Sequence, residues 1–459
     1  MPIGMWTALL VGLAGAAAPA GSPPAPPLPA PAALPARVFT LDNGVTVAVH
    51  RDPRAPLVAT WVQVAAGAGD ERPPGSGLAH LVEHLMYTGS PGAPDGGYDL
   101  LLAEVGAENN AWTDHDSTAY FSLAPAGAVE RVLALEADRL VGLVAALDDD
   151  ALGTQLSVVS AEAALARGAP HGQDLAAALR AVFGADHAYG VPVLGDDERR
   201  ATLELDDVVA WLDRAHVGAR VTVVMAGDLD VDAAAALARR RLAGLPVGEA
   251  APPPPAVPLP PPGSWRFEAP ADRPTVLLAW PTPPRGHPDA PALDLLAAAL
   301  AGDRSGPLAA AFEATPDLAP PRAWTWWGEQ AGLFVTQLGG PAPLEALDRR
   351  LRAALGPALD AASTDPRALD RARRRLLADH VRGLESLLRR AELLADCVQR
   401  TGAAGCDAAR MSALAAVTPA DLARARARWL APAQARAVWV LPGGSLDPTA
   451  DRLPALVLP

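Results

Sequence analysis

The stretch Gly77-Leu78-Ala79-His80-Leu81-Val82-Glu83-His84-Leu85 combines an apolar helical pattern with two histidines and a glutamate. An α-helix completes one turn in about 3.6 residues, so His80 and His84 project from the same face and their imidazoles can converge on one metal ion. Glu83 lies beside them but is offset around the helix axis, where it can reach a water molecule without being a ligand. The spacing therefore predicts a metal centre with an adjacent base.

The chemistry that suits this arrangement is zinc-dependent hydrolysis. Three protein ligands leave a fourth position for water, the metal lowers the pKa of that water, and a carboxylate takes its proton. The pattern His-x-x-Glu-His is the reverse of the commoner zinc-protease helix motif. The alternative is a pair of solvated histidines on a surface helix. The leucines and valine around the motif argue against it, because they would partly bury the histidines and leave them in need of partners.

Two downstream segments add polar groups to this picture. Glu162 lies on a predicted helix over residues 155–167, with 77 residues between His84 and it, and is available as a third ligand. Residues 109–120 read as a strand of alternating polar and aromatic character, which begins Asn109-Asn110-Ala111-Trp112-Thr113.

Strand and helix patterns alternate along the whole chain. In the first part, an extended segment is predicted at 38–50, interrupted by a hairpin turn at Asp42-Asn43-Gly44, and further strands are predicted at 57–66 and 221–225. Helices are predicted at 78–86, 98–105, 128–143 and 155–167. In the second part, strands are predicted at 275–280, 332–338 and 437–441, and helices at 290–301, across 343–401 and at 419–429. The proline-dominated stretch 249–263 can form neither a helix nor a central strand and separates the two parts.

Similar sequence segments precede the last strand of each part: Leu203–Val208 in the first part and Val417–Leu422 in the second. We therefore predict an α+β fold of two duplicated, sandwich-like α/β domains, each a mixed sheet with helices packed on it. The predicted limits are 37–248 for the first domain, 249–263 for the linker and 264–459 for the second domain.

Composition excludes some classes of function. The net charge is −14 over 459 residues. A negatively charged protein binds a phosphate backbone poorly, so no nucleic-acid partner is expected.

An apolar run at Trp6–Ala20 resembles a secretory signal over residues 1–20 and is too short to predict a stable membrane span. No Lys or Arg precedes this run, which argues against a signal. A Pro/Ala-rich tether over 21–36 follows, and we expect export to the periplasm or beyond, or a cytoplasmic location if the leader does not function.

The two cysteines, Cys397 and Cys406, lie nine positions apart. They can close a small loop in an oxidising compartment, or they can be two unrelated buried thiols.

The chain resembles the pitrilysin/insulinase family of inverted zinc metallopeptidases, in the short two-domain form that includes mitochondrial processing peptidase. The resemblance runs from about Val38 to Gly444. Besides the helix motif it rests on matches in the same order along the chain: Asn110-Ala111-x-Thr113-x-x-Asp116-x-Thr118-x-Tyr120, Leu135-Glu136-x-Asp138-Arg139, Val158-Val159-x-x-Glu162, Tyr189-Gly190-x-Pro192-Val193-x-Gly195 and Ala226-Gly227-Asp228.

The resemblance implies a set of roles. His80, His84 and Glu162 would bind one Zn²⁺ per chain and Glu83 would be the general base, so the enzyme would be a zinc endopeptidase with peptide substrates. Asn110 and Ala111 would align the substrate backbone along an edge strand, although Asn110 can instead be a turn or cap residue. Gln155 would support the ligands without binding metal, or would be a solvent-exposed residue.

The second half departs from the family pattern. Relatives that act alone carry an Arg and, seven residues later, a Tyr, where this chain has Glu313 and Pro320. The resemblance therefore implies that this chain is the zinc-bearing subunit of a clamshell-like pair. The partner would be a homologous subunit without zinc that supplies the Arg and Tyr, or a second copy of the chain. The alternative is a non-catalytic assembly or core subunit. Trp324, Trp326 and Trp327 are expected in the core or at an interface.

Overall fold

The computed structural model describes residues 33–94, 96–251, 257–302 and 304–443. The predicted leader, most of the tether and part of the proline-rich linker lie outside these ranges. The described part consists of two halves, each built on its own sheet.

The first sheet has six strands: β1 (Arg37–Thr40), β2 (Thr46–Arg51), β3 (Leu57–Val64), β4 (Glu108–Thr113), β5 (Thr118–Pro125) and β6 (Val221–Gly227). Their order is β1-β2-β6-β3-β5-β4. The predicted turn between the first two strands forms at Asp42-Asn43-Gly44, where Gly44 has a φ of 93°, which is accessible to glycine at little cost.

The second sheet has five strands: β7 (Ser264–Ala269), β8 (Thr275–Thr282), β9 (Arg322–Trp327), β10 (Gly332–Gly339) and β11 (Arg436–Pro442). Their order, β7-β11-β8-β10-β9, repeats the order β2-β6-β3-β5-β4 of the first sheet. In each sheet the first pair of this series is parallel and the remaining pairs are antiparallel. The duplication predicted from the sequence is therefore confirmed.

Helices cover both sheets. Those before the linker are α1 (Leu78–Leu85), α2 (Gly97–Ala103), α3 (Val129–Ala146), α4 (Asp149–Gly168), α5 (Asp174–Phe183), α6 (Asp197–Arg200), α7 (Leu205–Ala215) and α8 (Val231–Arg241). Those after it are α9 (Ala290–Ala301), α10 (Pro307–Ala310), α11 (Leu344–Thr364), α12 (Pro366–Gly383), α13 (Leu387–Thr401), α14 (Cys406–Ala416) and α15 (Pro419–Trp429). No helix within the described ranges is both long enough and apolar enough to span a membrane.

The two similar sequence segments, Leu203–Val208 and Val417–Leu422, have the same structural role in both halves. Each begins the helix that leads to the parallel-paired strand, α7 before β6 and α15 before β11. Each helix starts with a capping box, in which Glu204 N–H donates to Asp207 and Thr418 N–H donates to Asp421, both over 2.9 Å. The two similar sequence segments thus form the same structural feature, the capped N-terminus of a helix.

The halves exchange one helix each, which the sequence-based domain limits do not anticipate. Helix α13, from the second half, packs on the first sheet, where Ala48, Ala59 and Ala226 contribute small side chains that allow a close approach. Helix α5, from the first half, packs on the second sheet against β8 and β11. Each half therefore completes the core of the other.

The junction between the halves centres on Tyr189, which is fully buried. Its hydroxyl donates to Asp116 over 2.6 Å and accepts from the Gln330 N–H over 2.9 Å, which links a hairpin of each half. The ring of Trp326 lies 5.0 Å from that of Tyr189, edge to face, which agrees with the prediction that this tryptophan lies in the core or at an interface.

Cys397 and Cys406 form a disulfide with a Cα–Cα distance of 5.5 Å. It joins α13 to the start of α14. The alternative of two unrelated thiols is therefore wrong.

Candidate metal centre

Helix α1 presents the two histidines as the spacing predicts. Leu81, Val82 and Leu85 are fully buried and fix the helix in the core of the first half. His80 and His84 lie on the same side with ring centroids 4.7 Å apart and ring planes at 65°. His80 is buried, whereas the His84 side chain keeps 22% of its exposure, so the pair opens toward solvent on the His84 side.

Glu162 comes from α4, a 20-residue helix whose start is capped by Asp148, which accepts the Ala151 N–H over 2.7 Å. Only Leu152, Val159 and Ala163 of this helix are buried. Glu162 Oε2 lies 3.3 Å from His84 Nε2, and Oε1 lies 3.9 Å from His80 Nε2. The structure thus brings together His84 and Glu162, which have 77 residues between them in the sequence.

One ligand atom from each of His80, His84 and Glu162 lies within 4.8 Å of the other two. Two imidazole nitrogens and a carboxylate oxygen are the donor set of many catalytic zinc sites, with a further position left for water. Burial, the charge of His84 and the charge of Arg200 together lower the pKa of His80 to about 4. The imidazole is therefore neutral near pH 7, which is the form that binds a metal.

The Nδ1 atom of His80 is buried and has no hydrogen-bond partner among the described residues. The donors that converge are instead the Nε2 atoms of His80 and His84 and the carboxylate of Glu162. Imidazole nitrogens and carboxylate oxygens are both ordinary zinc ligands. The residues present therefore fit a zinc ion.

Glu83 is buried at 8% exposure beside the histidines, yet it is not one of the three converging residues. The Thr113 hydroxyl donates to Glu83 Oε2 over 2.5 Å, which holds the carboxylate in place from strand β4. Burial raises the pKa of Glu83 to about 7, and the Thr113 hydrogen bond partly opposes that rise. A carboxylate of this kind suits a base that accepts and returns a proton.

A buried ion pair lies close to Glu83. Arg139 donates to Glu136 Oε2 from Nε over 3.0 Å, and both side chains are almost fully buried. The Arg139 guanidinium lies 4.4–5.0 Å from the ring centroids of Tyr87, Tyr98 and Tyr120. Its positive charge lowers the pKa of Glu83, so it favours the ionised base. The sequence match at residues 135–139 does not by itself indicate that Arg139 acts on Glu83.

Asn110 and Ala111 lie on β4, the outermost strand of the first sheet, next to Thr113. Asn110 therefore lies within a strand and is not a turn or cap residue. The substrate-aligning role of Asn110 and Ala111 stays a prediction. Gln155 lies on α4, half-buried, two helical turns before Glu162. Its supporting role stays a prediction.

Other histidines are not among the converging ligands. His115, His187 and His216 are all buried, and His115 Nε2 lies 2.9 Å from the Val191 carbonyl oxygen. Glu313 and Pro320 are exposed in the irregular segment between α10 and β9.

Sequence reasoning missed Glu71, whose carboxylate caps the start of α1, and the part that Thr113 plays. Thr113 could have been found, since it stands in the quoted strand motif. Glu71 has no motif signal, because its contact depends on how the loop from 71 to 77 folds back.

Comparison with known proteins bears on the same residues. The sequence model described as Insulinase (Peptidase family M16) matches residues 46–194, which include the whole candidate centre. The model described as Peptidase M16 inactive domain matches residues 202–315.

Individual peptidases are also similar to this chain in sequence. Mitochondrial-processing peptidase subunit beta of Blastocladiella emersonii is 26% identical over 212 residues, 46% of this chain and 45% of that protein. A protein of Mycobacterium bovis described as an uncharacterized zinc protease is 29% identical over 208 residues, 45% of this chain and 47% of that protein. The chain thus spans about half the length of the curated relatives it matches.

The crystal structure of a protease from Helicobacter pylori has a TM-score of 0.80 and covers 89% of this chain and 100% of its own. At 22% identity it shows the shared fold alone. The two sheets of like topology and the two matching sequence models together establish that this chain belongs to the insulinase family of M16 peptidases.

Proposed function

We propose that this chain is a zinc-dependent endopeptidase that hydrolyses peptides or unfolded polypeptide segments within a closed chamber, as the metal-bearing subunit of a pair. The observation that carries the proposal is the convergence of His80, His84 and Glu162 beside the buried carboxylate of Glu83. Three potential ligands and a separate base are the minimum set for metal-assisted hydrolysis.

In this proposal His80, His84 and Glu162 would hold one zinc ion. A bound zinc ion supplies Lewis acidity, which polarises a peptide carbonyl and lowers the pKa of a water molecule. The neutral state of His80 favours metal binding at neutral pH because no proton has to be displaced from it.

Glu83 takes the proton from the attacking water and later returns it to the leaving amine. Because Thr113 already donates to Oε2, we assign the proton to Oε1. The edge strand β4 offers its backbone to an extended peptide through Asn110 and Ala111, which would place the scissile bond next to Thr113 and Glu83.

The proposal that this chain works as one subunit of a pair is based on two residues in its second half. Glu313 and Pro320 stand where single-chain relatives carry an Arg and a Tyr, and neither side chain can replace those groups. One relative is described as the beta subunit of mitochondrial-processing peptidase, a name that indicates an assembly of subunits. A homologous partner, or a second copy of this chain, would supply the missing groups.

We further propose that the chain is exported. The apolar run at Trp6–Ala20 resembles a secretory signal. The Cys397–Cys406 disulfide gives separate support, since disulfides persist mainly in oxidising compartments.

The test is cleavage of a quenched peptide library by the full chain, alone and after co-purification of partners, with metal content measured on the same samples. Chelator-sensitive turnover that Glu83→Gln abolishes, with zinc still bound, supports the peptidase. Full turnover by a strictly monomeric sample would contradict the paired arrangement. Bound zinc without turnover under any condition, or no zinc, would favour the alternative of a non-catalytic assembly subunit.

A further inference from the structure

Glu71 is a fully buried carboxylate that lies outside the ligand set. Its Oε2 accepts hydrogen bonds from the Ser76 hydroxyl and the Gly77 N–H, and its Oε1 accepts one from the Ala79 N–H, each over 3.0 Å. These donors form the start of α1, the helix that carries both histidines and Glu83.

This helix cannot be capped in the usual way. Its N-cap residue is Gly77, which has a φ of 75° and no side chain to accept the free N–H groups of the first turn. A Cβ at Gly77 would lie 2.6 Å from the Leu194 carbonyl oxygen, so no larger residue fits there. A buried helix start also has no access to water, and the acceptor must come from elsewhere in the chain.

We propose that Glu71 is a positioning residue of the metal centre: by clamping the first turn of α1 with both carboxylate oxygens, it sets the depth and rotation of the helix and so aims His80 and His84 at Glu162. This inference rests on the proposed function, because it assumes that the three residues bind zinc.

The geometry supports a directional role in addition to a stabilising one. Each oxygen holds a different point of the first turn, so the helix can neither slide along its axis nor turn about it without losing a charge-assisted hydrogen bond. His80 follows Ala79 directly, so a shift at the start of the helix passes to the first ligand over a single residue. Burial raises the pKa of Glu71 to about 7, and the hydrogen bonds from Ala79, Gly77 and Ser76 oppose that rise. In its ionised form the carboxylate also stabilises the positive end of the helix dipole.

The test compares Glu71→Gln with Asp365→Asn in the full chain. Asp365 also caps a helix, accepting the N–H groups of Arg367 and Ala368 over 2.9 and 3.2 Å, but α12 carries none of the three ligands. Zinc affinity is measured by competition with a chromophoric chelator, the ligand geometry by the visible spectrum of the Co²⁺-substituted chain, and folding by the Tm of the metal-free chain.

We expect Glu71→Gln to weaken zinc binding by about tenfold or more, the effect typical of residues that orient metal ligands, and to change the cobalt spectrum. Asp365→Asn should lower the Tm and leave the zinc affinity and the cobalt spectrum unchanged. Wild-type zinc affinity and spectrum in Glu71→Gln would overturn the inference, and so would equal weakening in both variants. If the wild-type chain binds no zinc, the proposed function fails as well.

If Glu71→Gln does not fold, Ser76→Ala takes its place, because it removes one donor to the same carboxylate and leaves the charge intact. A weakening of zinc affinity by about threefold, in line with the loss of one hydrogen bond, supports the inference. Unchanged affinity overturns it.

Discussion

A single hydroxyl holds the proposed base, and its effect can be separated from that of the metal ligands. Thr113 donates to Glu83 Oε2 from a strand, whereas His80 and His84 belong to a helix. The hydrogen bond that orients Glu83 thus comes from β4, a strand that carries none of the three proposed ligands. Substitution of Thr113 should therefore affect catalysis without loss of zinc.

Thr113→Val removes the hydroxyl and keeps the shape of the side chain. We expect kcat to fall at least about tenfold, because a hydrogen bond to a charged group contributes about 1.5–3 kcal/mol. Thr113→Ser retains the donor and should keep most of the activity. Peptide turnover and zinc content are measured on the same samples, and equal turnover in the two variants would contradict the role of the hydroxyl.

At this scale the sequence predicts neighbours on one helix well and contacts across loops poorly. The spacing of His80, Glu83 and His84 is a local property of helix periodicity. Glu162 was assigned as a ligand by resemblance, since no local rule brings a residue from another helix to the site. Glu71 escaped prediction because its contact requires the loop to return to the helix start.

At the scale of elements, two glycines allow α1 to start where it does. Gly195 has a φ of 74°, and a Cβ there would lie 2.4 Å from the backbone nitrogen of Gly77. The segment that contains Gly195 therefore presses directly against the N-terminus of the helix. This contact gives a physical reason for the glycine at the end of the matched segment 189–195.

Gly195→Ala should displace the start of α1 and weaken zinc binding. The matched control is Gly96→Ala, because Gly96 has a φ of 70° and no atom within 4 Å of its added Cβ. Both variants pay the cost of a left-handed alanine, about 1–2 kcal/mol, and only Gly195→Ala adds a clash with backbone. Denaturation and zinc titration compare them. Equal losses of stability and of zinc affinity would show that the contact with Gly77 has no effect.

The sequence predicted most elements but not all of their partners. Hydrophobic periodicity indicated a helix near α13, yet it could not indicate that this helix covers the sheet of the other half. Helix α5 and strand β9 were not predicted, since α5 is rich in alanine and β9 is a short strand of clustered tryptophans. Tertiary packing determines where α13 lies and whether α5 and β9 form, and a local sequence pattern does not contain that information.

At the scale of the whole molecule, α13 is tied to the first half by a buried charge pair. Arg390 of α13 donates to Asp52, and both side chains are more than nine-tenths buried. Arg54 also donates to Asp52, over 2.8 Å from Nε and from Nη2, but its side chain is 71% exposed. The buried arginine should therefore matter more than the exposed one.

Arg390→Met should destabilise the chain by about 3 kcal/mol, the usual cost of removing one partner from a buried pair. Arg54→Met breaks the exposed contact and should cost about 1 kcal/mol or less. The free energy of unfolding in urea compares the two. A larger loss in Arg54→Met would contradict the account of how α13 is held.

The same pair predicts a dependence on pH. The hydrogen bonds from Arg54 and Arg390 hold the pKa of Asp52 well below its ordinary value, against the opposing effect of burial. A lowered pKa contributes stability above the unfolded value of about 3.9, and this contribution is lost as the pH falls toward the folded value. The stability gap between wild type and Asp52→Asn should be constant above about pH 5 and narrow below about pH 4. A gap that widens on acidification would have the wrong sign.

Anomalous diffraction at the zinc edge tests most directly whether His80, His84 and Glu162 together hold one zinc ion. In crystals of the full chain grown with zinc, we predict one strong peak bounded by the two Nε2 atoms and the Glu162 carboxylate, and its loss in crystals of His84→Asn. A zinc peak at other residues with none at these three, or a peak that persists in His84→Asn, would contradict the claim.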